Sequence, residues 1–204
     1  EITGRYGDRP AGKMPSGSPG LRIIVHQTAP IRLTYSDAKK FDEFAREKGF
    51  DDVLVQHQDR GLPLSKITER YQRYAKSLIA VGGPEKIGAG QDRHLGLAIE
   101  LVAEANPYQW PPLQSMPVRL YADGVPLANA QITVFTRHNP RHVEKAKYQT
   151  DKDGRSNFAL LAGRDYLVDS VILRPMDGAT ESSDAMWESI WASLTFQVPA
   201  NTKM

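Results

Sequence analysis

Between residues 116 and 171 apolar and polar positions alternate with a period of two. Val118 and Leu120 alternate with Arg119 and Tyr121, and Ile132, Val134 and Thr136 with Thr133 and Phe135. Tyr166, Val168 and Ser170 are likewise opposed by Leu167, Asp169 and Val171. This is the pattern of strands with one face buried. Asp123-Gly124 tolerates positive φ and predicts a tight turn. Asp151-Lys152-Asp153-Gly154 predicts a second turn, with a hairpin joining 148–150 to 156–160. Gly163 turns the chain into the strand at Tyr166. Short strands with no intervening helix predict an antiparallel sandwich.

The first half mixes periods. Leu21, Ile23 and Val25 predict one strand, and Ile31, Leu33 and Tyr35, beyond Pro30, a second. Ser36 is placed to cap a helix carrying Phe41, Phe44, Ala45 and Lys48 and ending at Gly49. Asp51 opens a shorter helix through Val53, Leu54 and His57, closed by Gly61. Residues 65–75 carry Tyr71 and Tyr74 at helical spacing and predict a third helix, followed by a strand over 77–81. Leu95, Leu97, Ile99 and Leu101 predict a strand with one face in the core. Near the end, Ser183 is a possible helix start, 186–190 predict about one helical turn that sets Trp187 and Trp191 on one side, and Ala192, Leu194, Phe196 and Val198 predict the last strand.

The expected architecture is therefore mainly β: an antiparallel prealbumin/Ig-like sandwich over 111–204, a smaller mixed α+β part over 21–110, and an extended Gly/Pro/Ser-rich lead-in over 1–20. Because the strand around Leu95–Leu101 has no nearby partner in sequence, the two parts are expected to share sheets. The chain begins at Glu1 without Met or an apolar leader, which reads as a processed species.

Composition narrows the classes further. The 204 residues carry a formal net charge of +2, and no basic stripe interleaved with aromatics suggests nucleic acid. There is no cysteine, hence no disulfide framework or thiolate metal site. No apolar run approaches the ~20 residues of a membrane-spanning helix.

Two resemblances sit on quoted residues. "DGVPLANAQITVF", "TDKDGRSNFAL" and "AGRDYLVD" resemble the prealbumin-like sandwiches of carboxypeptidase regulatory domains and bacterial surface repeats, which implies a scaffold and no chemistry. Over most of 21–199, Arg70-Tyr71, Lys76, Asn106-Pro107-Tyr108 and Trp187-Glu188-Ser189 resemble a bacterial family of unknown function. Its members are often labelled periplasmic components of cobalt or nickel uptake. That resemblance implies a periplasmic or otherwise extracytoplasmic binding module, with a nickel or cobalt ion as cargo and envelope transport components or other envelope proteins as partners. The chain departs from that family at Ser170-Val171-Ile172-Leu173, where many members carry a His.

The candidate chemistry is thin. Metal capture needs converging His or carboxylate side chains. Of the five histidines, only His138 and His142 are close in sequence. Pro140 between them argues for a loop, and Arg137, Arg141 and Lys145 oppose a cation, so a solvated basic loop is the simpler expectation. His94 beside Asp92 is the other candidate pair, with a turn hydrogen bond as the economical alternative. His57 reads as packed or capping, and His26 as a surface residue. Arg70 and Lys76 are expected to pair with carboxylates such as Glu100. The tryptophans Trp110, Trp187 and Trp191 read as core rather than as a sugar platform. No nucleophile elbow occurs, and Gly82-Gly83-Pro84 and Gly88-Ala89-Gly90 lack the Lys-Ser/Thr of a phosphate loop. The expectation is a non-catalytic module; a structural or protein/glycan-interaction module of the cell envelope is the alternative.

Overall fold

The period-two stretches are built as strands that sort into two sheets sharing one apolar core. The computed structural model describes residues 17–82, 90–109, 111–180 and 184–200, together with 7, 9, 14 and 15. Trp110, Gly83, Pro84, Gly88, Ala89, Ser183 and most of the lead-in lie outside the described residues. The elements are β1 (Gly20–Gln27), β2 (Ile31–Tyr35), α1 (Ala38–Glu47), α2 (Val53–Asp59), β3 (Ile67–Val81), β4 (Ile99–Ala103) and β5 (Ser115–Ala122). They continue with β6 (Val125–Pro126), β7 (Gln131–Asn139), β8 (His142–Gln149), β9 (Arg155–Ala159), β10 (Asp165–Pro175) and β11 (Trp187–Gln197).

The larger sheet has seven strands in the order β1-β3-β11-β10-β7-β8, with β2 also on β3. The smaller has four, with β4, β6 and β9 all pairing β5. Ile99, Leu101, Met116, Val118, Leu120 and Phe158 of the small sheet pack against Leu78, Ile132, Val134, Val168, Ala192 and Leu194 of the large one. The fold is mainly β and sandwich-like. Strands from before and after residue 110 meet in both sheets, because β3 pairs β11 and β4 pairs β5. The larger sheet is mixed rather than wholly antiparallel, since β11 runs parallel to β3.

Four local expectations about the strands are overturned. Residues 65–75 do not form a helix; they enter β3, a fifteen-residue strand. There Tyr74 points into the core and Tyr71 to the opposite face, so the three-residue spacing had a different meaning in a period-two element. Residues 186–190 likewise enter β11, where Trp187, Ser189 and Trp191 share the face away from the small sheet. No hairpin joins 148–150 to 156–160: β8 belongs to the large sheet and β9 to the small one. The Asp151 turn instead carries the chain between sheets. Its side chain accepts from the N–H groups of Asp153 and Arg155, and Gly154, at φ +74, lets the backbone pass where a Cβ would stand 2.8 Å from the Leu120 carbonyl. Finally, the strand expected to start at Leu95 begins only at Ile99, because the backbone of 95–97 is drawn to a buried carboxylate described below.

The helices cover one end of the outer face of the large sheet. Asp37, not Ser36, caps α1, accepting from the Lys40 N–H at 3.0 Å. Phe41, Ala45, Val53 and Leu62 close over Ile67, Leu173, Met186 and Trp187. His57 is fully buried beneath them: its Nδ1 accepts from the Trp187 indole N–H at 3.0 Å, and its Nε2 therefore donates to the Pro63 carbonyl at 2.9 Å. Trp187 and His57 are core residues. Beyond α1 the same sheet face is open.

Candidate metal centre

The β7–β8 hairpin turns through Pro140 and Arg141, with Asn139 paired to His142. Pro140 therefore does not remove the two histidines into an unstructured loop; it sits in the turn that folds one strand back on the other. A register irregularity between Arg137 and Asn139 lets His138 and His142 approach, with ring centroids 5.1 Å apart. Thr136 pairs with Glu144, which brings a carboxylate beneath both rings. Glu144 Oε2 lies 3.2 Å from His138 Nε2, and Oε1 lies 3.4 Å from His142 Nε2.

The potential donor atoms of His138, His142 and Glu144 all lie within 4.8 Å of one another. Two donors ~2.1 Å from a common transition metal and at tetrahedral or octahedral angles stand ~3.0–3.4 Å apart. The two His–Glu distances fall in that range. His142 and Glu144 are open to solvent, whereas the His138 side chain is only 19% exposed. Glu144 is its ion-pair neighbour, and among the described residues the buried Nε2 makes no well-aligned hydrogen bond. The hydrogen bond from His142 is the first cause that holds the Glu144 carboxyl below its usual range. Two neutral imidazoles with one carboxylate suit zinc, nickel, cobalt or copper.

Glu144 was not anticipated. The β8 sequence HVEKAKYQ is exposed along nearly its whole length and has no apolar alternation to reveal which side chains share a face with His138.

The second anticipated pair went elsewhere. Asp92 does not face His94 across an open site. Its Oδ1 lies 2.7 Å from the Lys76 ammonium, and its Oδ2 accepts from the Ala103 N–H at 2.9 Å. Lys76 also pairs with Glu100 at 2.9 Å, as its residue type and position suggested, and donates to the Arg93 carbonyl. Glu100 accepts further from the N–H groups of Leu95, Gly96 and Leu97. Burial alone would raise the Glu100 carboxyl, but Lys76 and these amides outweigh it and hold it below its usual range. His94 stacks on Tyr121 with ring centroids 4.4 Å apart and its Nε2 3.6 Å from Glu100. Arg70 pairs with Glu188 at 2.6 Å. Every donor of Lys76 and both oxygens of each carboxylate are occupied by protein, so this cluster is an internal clasp.

A depression of about 570 Å³ lies on the open part of the large sheet's outer face. Ser77 and Thr195, their hydroxyls 2.6 Å apart, form its floor, and Ile79, Leu167, Phe135 and Val143 its walls. Among the described residues that line it, no acid–base or nucleophilic constellation is assembled. Among the described residues, no helix is long and apolar enough to cross a membrane.

No curated protein matches the chain. Residues 19–173, which include every side chain of both charged clusters, match the family model described as "Domain of unknown function (DUF4198)". The match spans well over half of the 204 residues, and the chain belongs to this family of unknown function.

Proposed function

We propose that this chain is a non-catalytic extracytoplasmic binding module that takes a first-row transition-metal cation at His138, His142 and Glu144, with nickel or cobalt as the expected cargo. The observation that carries the reading is the convergence of three donor side chains at ligand spacing on one hairpin, one of them a shielded imidazole nitrogen that makes no well-aligned hydrogen bond among the described residues. Three protein donors leave coordination positions open, which suits a site that loads and releases an ion rather than a closed structural one. The resemblance to a family labelled as cobalt or nickel uptake components supports the choice of metal and the compartment. The prealbumin-like pattern of the second half supports a scaffold that carries sites on its hairpins and not a catalyst.

The test is thermal melting against a panel of divalent ions. A ligand at 100 times its dissociation constant stabilises by about 2.7 kcal/mol, or ~5–10 °C for a chain of this size. A rise with nickel or cobalt that disappears in His138→Ala/His142→Ala supports the reading, and no rise with any metal defeats it.

A second reading, an envelope interaction module, draws on the open sheet face. Ile79, Leu167 and Val143 are 43%, 38% and 53% exposed around one trough, which is the character of a contact surface. Under it the melting temperature responds to no metal.

A further inference from the structure

The surroundings of His138, His142 and Glu144 are basic, which is unusual for a site that takes a cation. Arg137 is neutralised by Asp165 at 2.8 Å and Lys145 by Glu47. Two guanidinium groups remain. Arg141 sits in the hairpin turn itself, and among the described residues neither it nor Arg164 has a carboxylate within ion-pair distance. Arg164 directly precedes β10, where Asp165 pairs Arg137 and Tyr166 pairs Thr136, so the chain at Arg164 runs beside His138. Among the described residues, the buried Nε of Arg164 has no hydrogen-bond partner, nor has Nε2 of His138 a well-aligned one. A shielded guanidinium nitrogen left unbonded costs free energy, and native proteins seldom leave one without a purpose.

A divalent ion on two neutral imidazoles and one carboxylate leaves a net positive centre. Placed beside Arg141 and Arg164, that centre is repelled as a bare aqua ion. A carboxylate on the metal's open positions reverses the sign: it neutralises the centre and offers oxygens that a planar guanidinium fork binds well. Resting on the metal-site reading above, we infer that the hairpin takes its cation as a complex with a small carboxylate chelator, the metal held by His138, His142 and Glu144 and the carboxylate by Arg164, with Arg141 adding charge. The substrate class is thus a metal chelate rather than a hydrated ion.

The experiment compares two probes by calorimetric titration: aqua nickel and the one-to-one nickel–iminodiacetate complex, whose chelator fills three positions and leaves three for the protein. Wild type is expected to bind both, the chelate more tightly. Arg164→Gln is expected to weaken nickel–iminodiacetate about ten-fold, the size of one charge-assisted hydrogen bond, while leaving aqua nickel unchanged or bound more tightly. Arg164→Lys keeps the charge but not the fork and is expected to fall between them. The melting temperature of each metal-free variant, unchanged from wild type, shows that the fold is intact. If wild type binds aqua nickel and Arg164→Gln alters both probes equally or neither, the chelate inference is overturned and the metal site stands. If wild type binds neither probe, the metal site fails, and the chelate inference with it.

Discussion

Two clusters of the same kinds of group, Lys76–Asp92–Glu100 and His138–His142–Glu144, meet opposite fates in this chain. The first is buried to within a percent or so of full enclosure at the side chains of Lys76, Asp92 and Glu100. Its carboxylates are held by one ammonium and by the N–H groups of Arg93, Leu95, Gly96, Leu97 and Ala103. The second lies at a hairpin tip with Glu144 59% exposed and one imidazole nitrogen without a well-aligned hydrogen bond among the described residues. Saturation, not residue type, separates a clasp from a site. A cluster whose lone pairs are all spent inside the protein has nothing left for a ligand, whereas one that keeps a shielded lone pair idle has.

The comparison is broken most severely at the clasp. Lys76→Met leaves two buried carboxylates facing each other, and breaking a buried pair in this way costs about 3–5 kcal/mol. Urea unfolding is expected to show that loss, with nickel affinity measured on the folded fraction unchanged. Next in size, saturating nickel is expected to stabilise wild type by about 2.7 kcal/mol and Lys76→Met by the same amount, since the clusters are independent. Asp92→Asn removes one charge but keeps an acceptor for the Ala103 N–H, and is expected to cost about 1–3 kcal/mol.

Acid sharpens the contrast through a third group. Burial lowers the pKa of His57 in the folded chain, with the Pro63 carbonyl opposing and Arg60 reinforcing the shift. The unfolded chain, near the ordinary value of about 6.5, then binds more protons as pH falls. Stability is fully present above about pH 6.5 and declines as the pH falls from there toward the folded value, because protonation at Nδ1 expels the Trp187 N–H. Melting temperatures of wild type and His57→Gln between about pH 7.5 and 5.5 check this: wild type falls and the variant stays flatter. The smallest effect belongs to the open site. Without metal, His138→Ala/His142→Ala is expected to change stability by no more than about 0.5 kcal/mol, as for ordinary surface positions.

Legibility in the sequence followed burial. Strands with one face in the core, such as β5, β7 and β10, announced themselves through alternation, and Asp123-Gly124 marked the β5–β6 turn, with φ +47 and +80. In β3 Tyr71 and Tyr74 mimic a helical step, although Tyr74, Lys76 and Leu78 on one side and Tyr71 and Arg73 on the other fit a strand equally well. The false start of β4 at Leu95 had a subtler cause. Leu95 and Leu97 look like strand positions, but Glu100 captures their N–H groups, and Gly96, at φ +81, permits the turn that brings them there. The open site was half legible. His138 and His142 were visible, and Pro140 and the neighbouring cations argued against them. Glu144 could be placed only once Thr136 was known to be its partner across the hairpin, a register that no apolar pattern in β8 encodes.

The most direct measurement of the central claim is a calorimetric titration of nickel into wild type, Glu144→Ala and His138→Ala/His142→Ala. The account predicts one site per chain in wild type, about ten-fold or greater weakening in Glu144→Ala, and no specific binding in the double variant. Binding that survives the double variant at wild-type strength would contradict the assignment of this hairpin. Absence of binding to wild type would contradict the metal function itself.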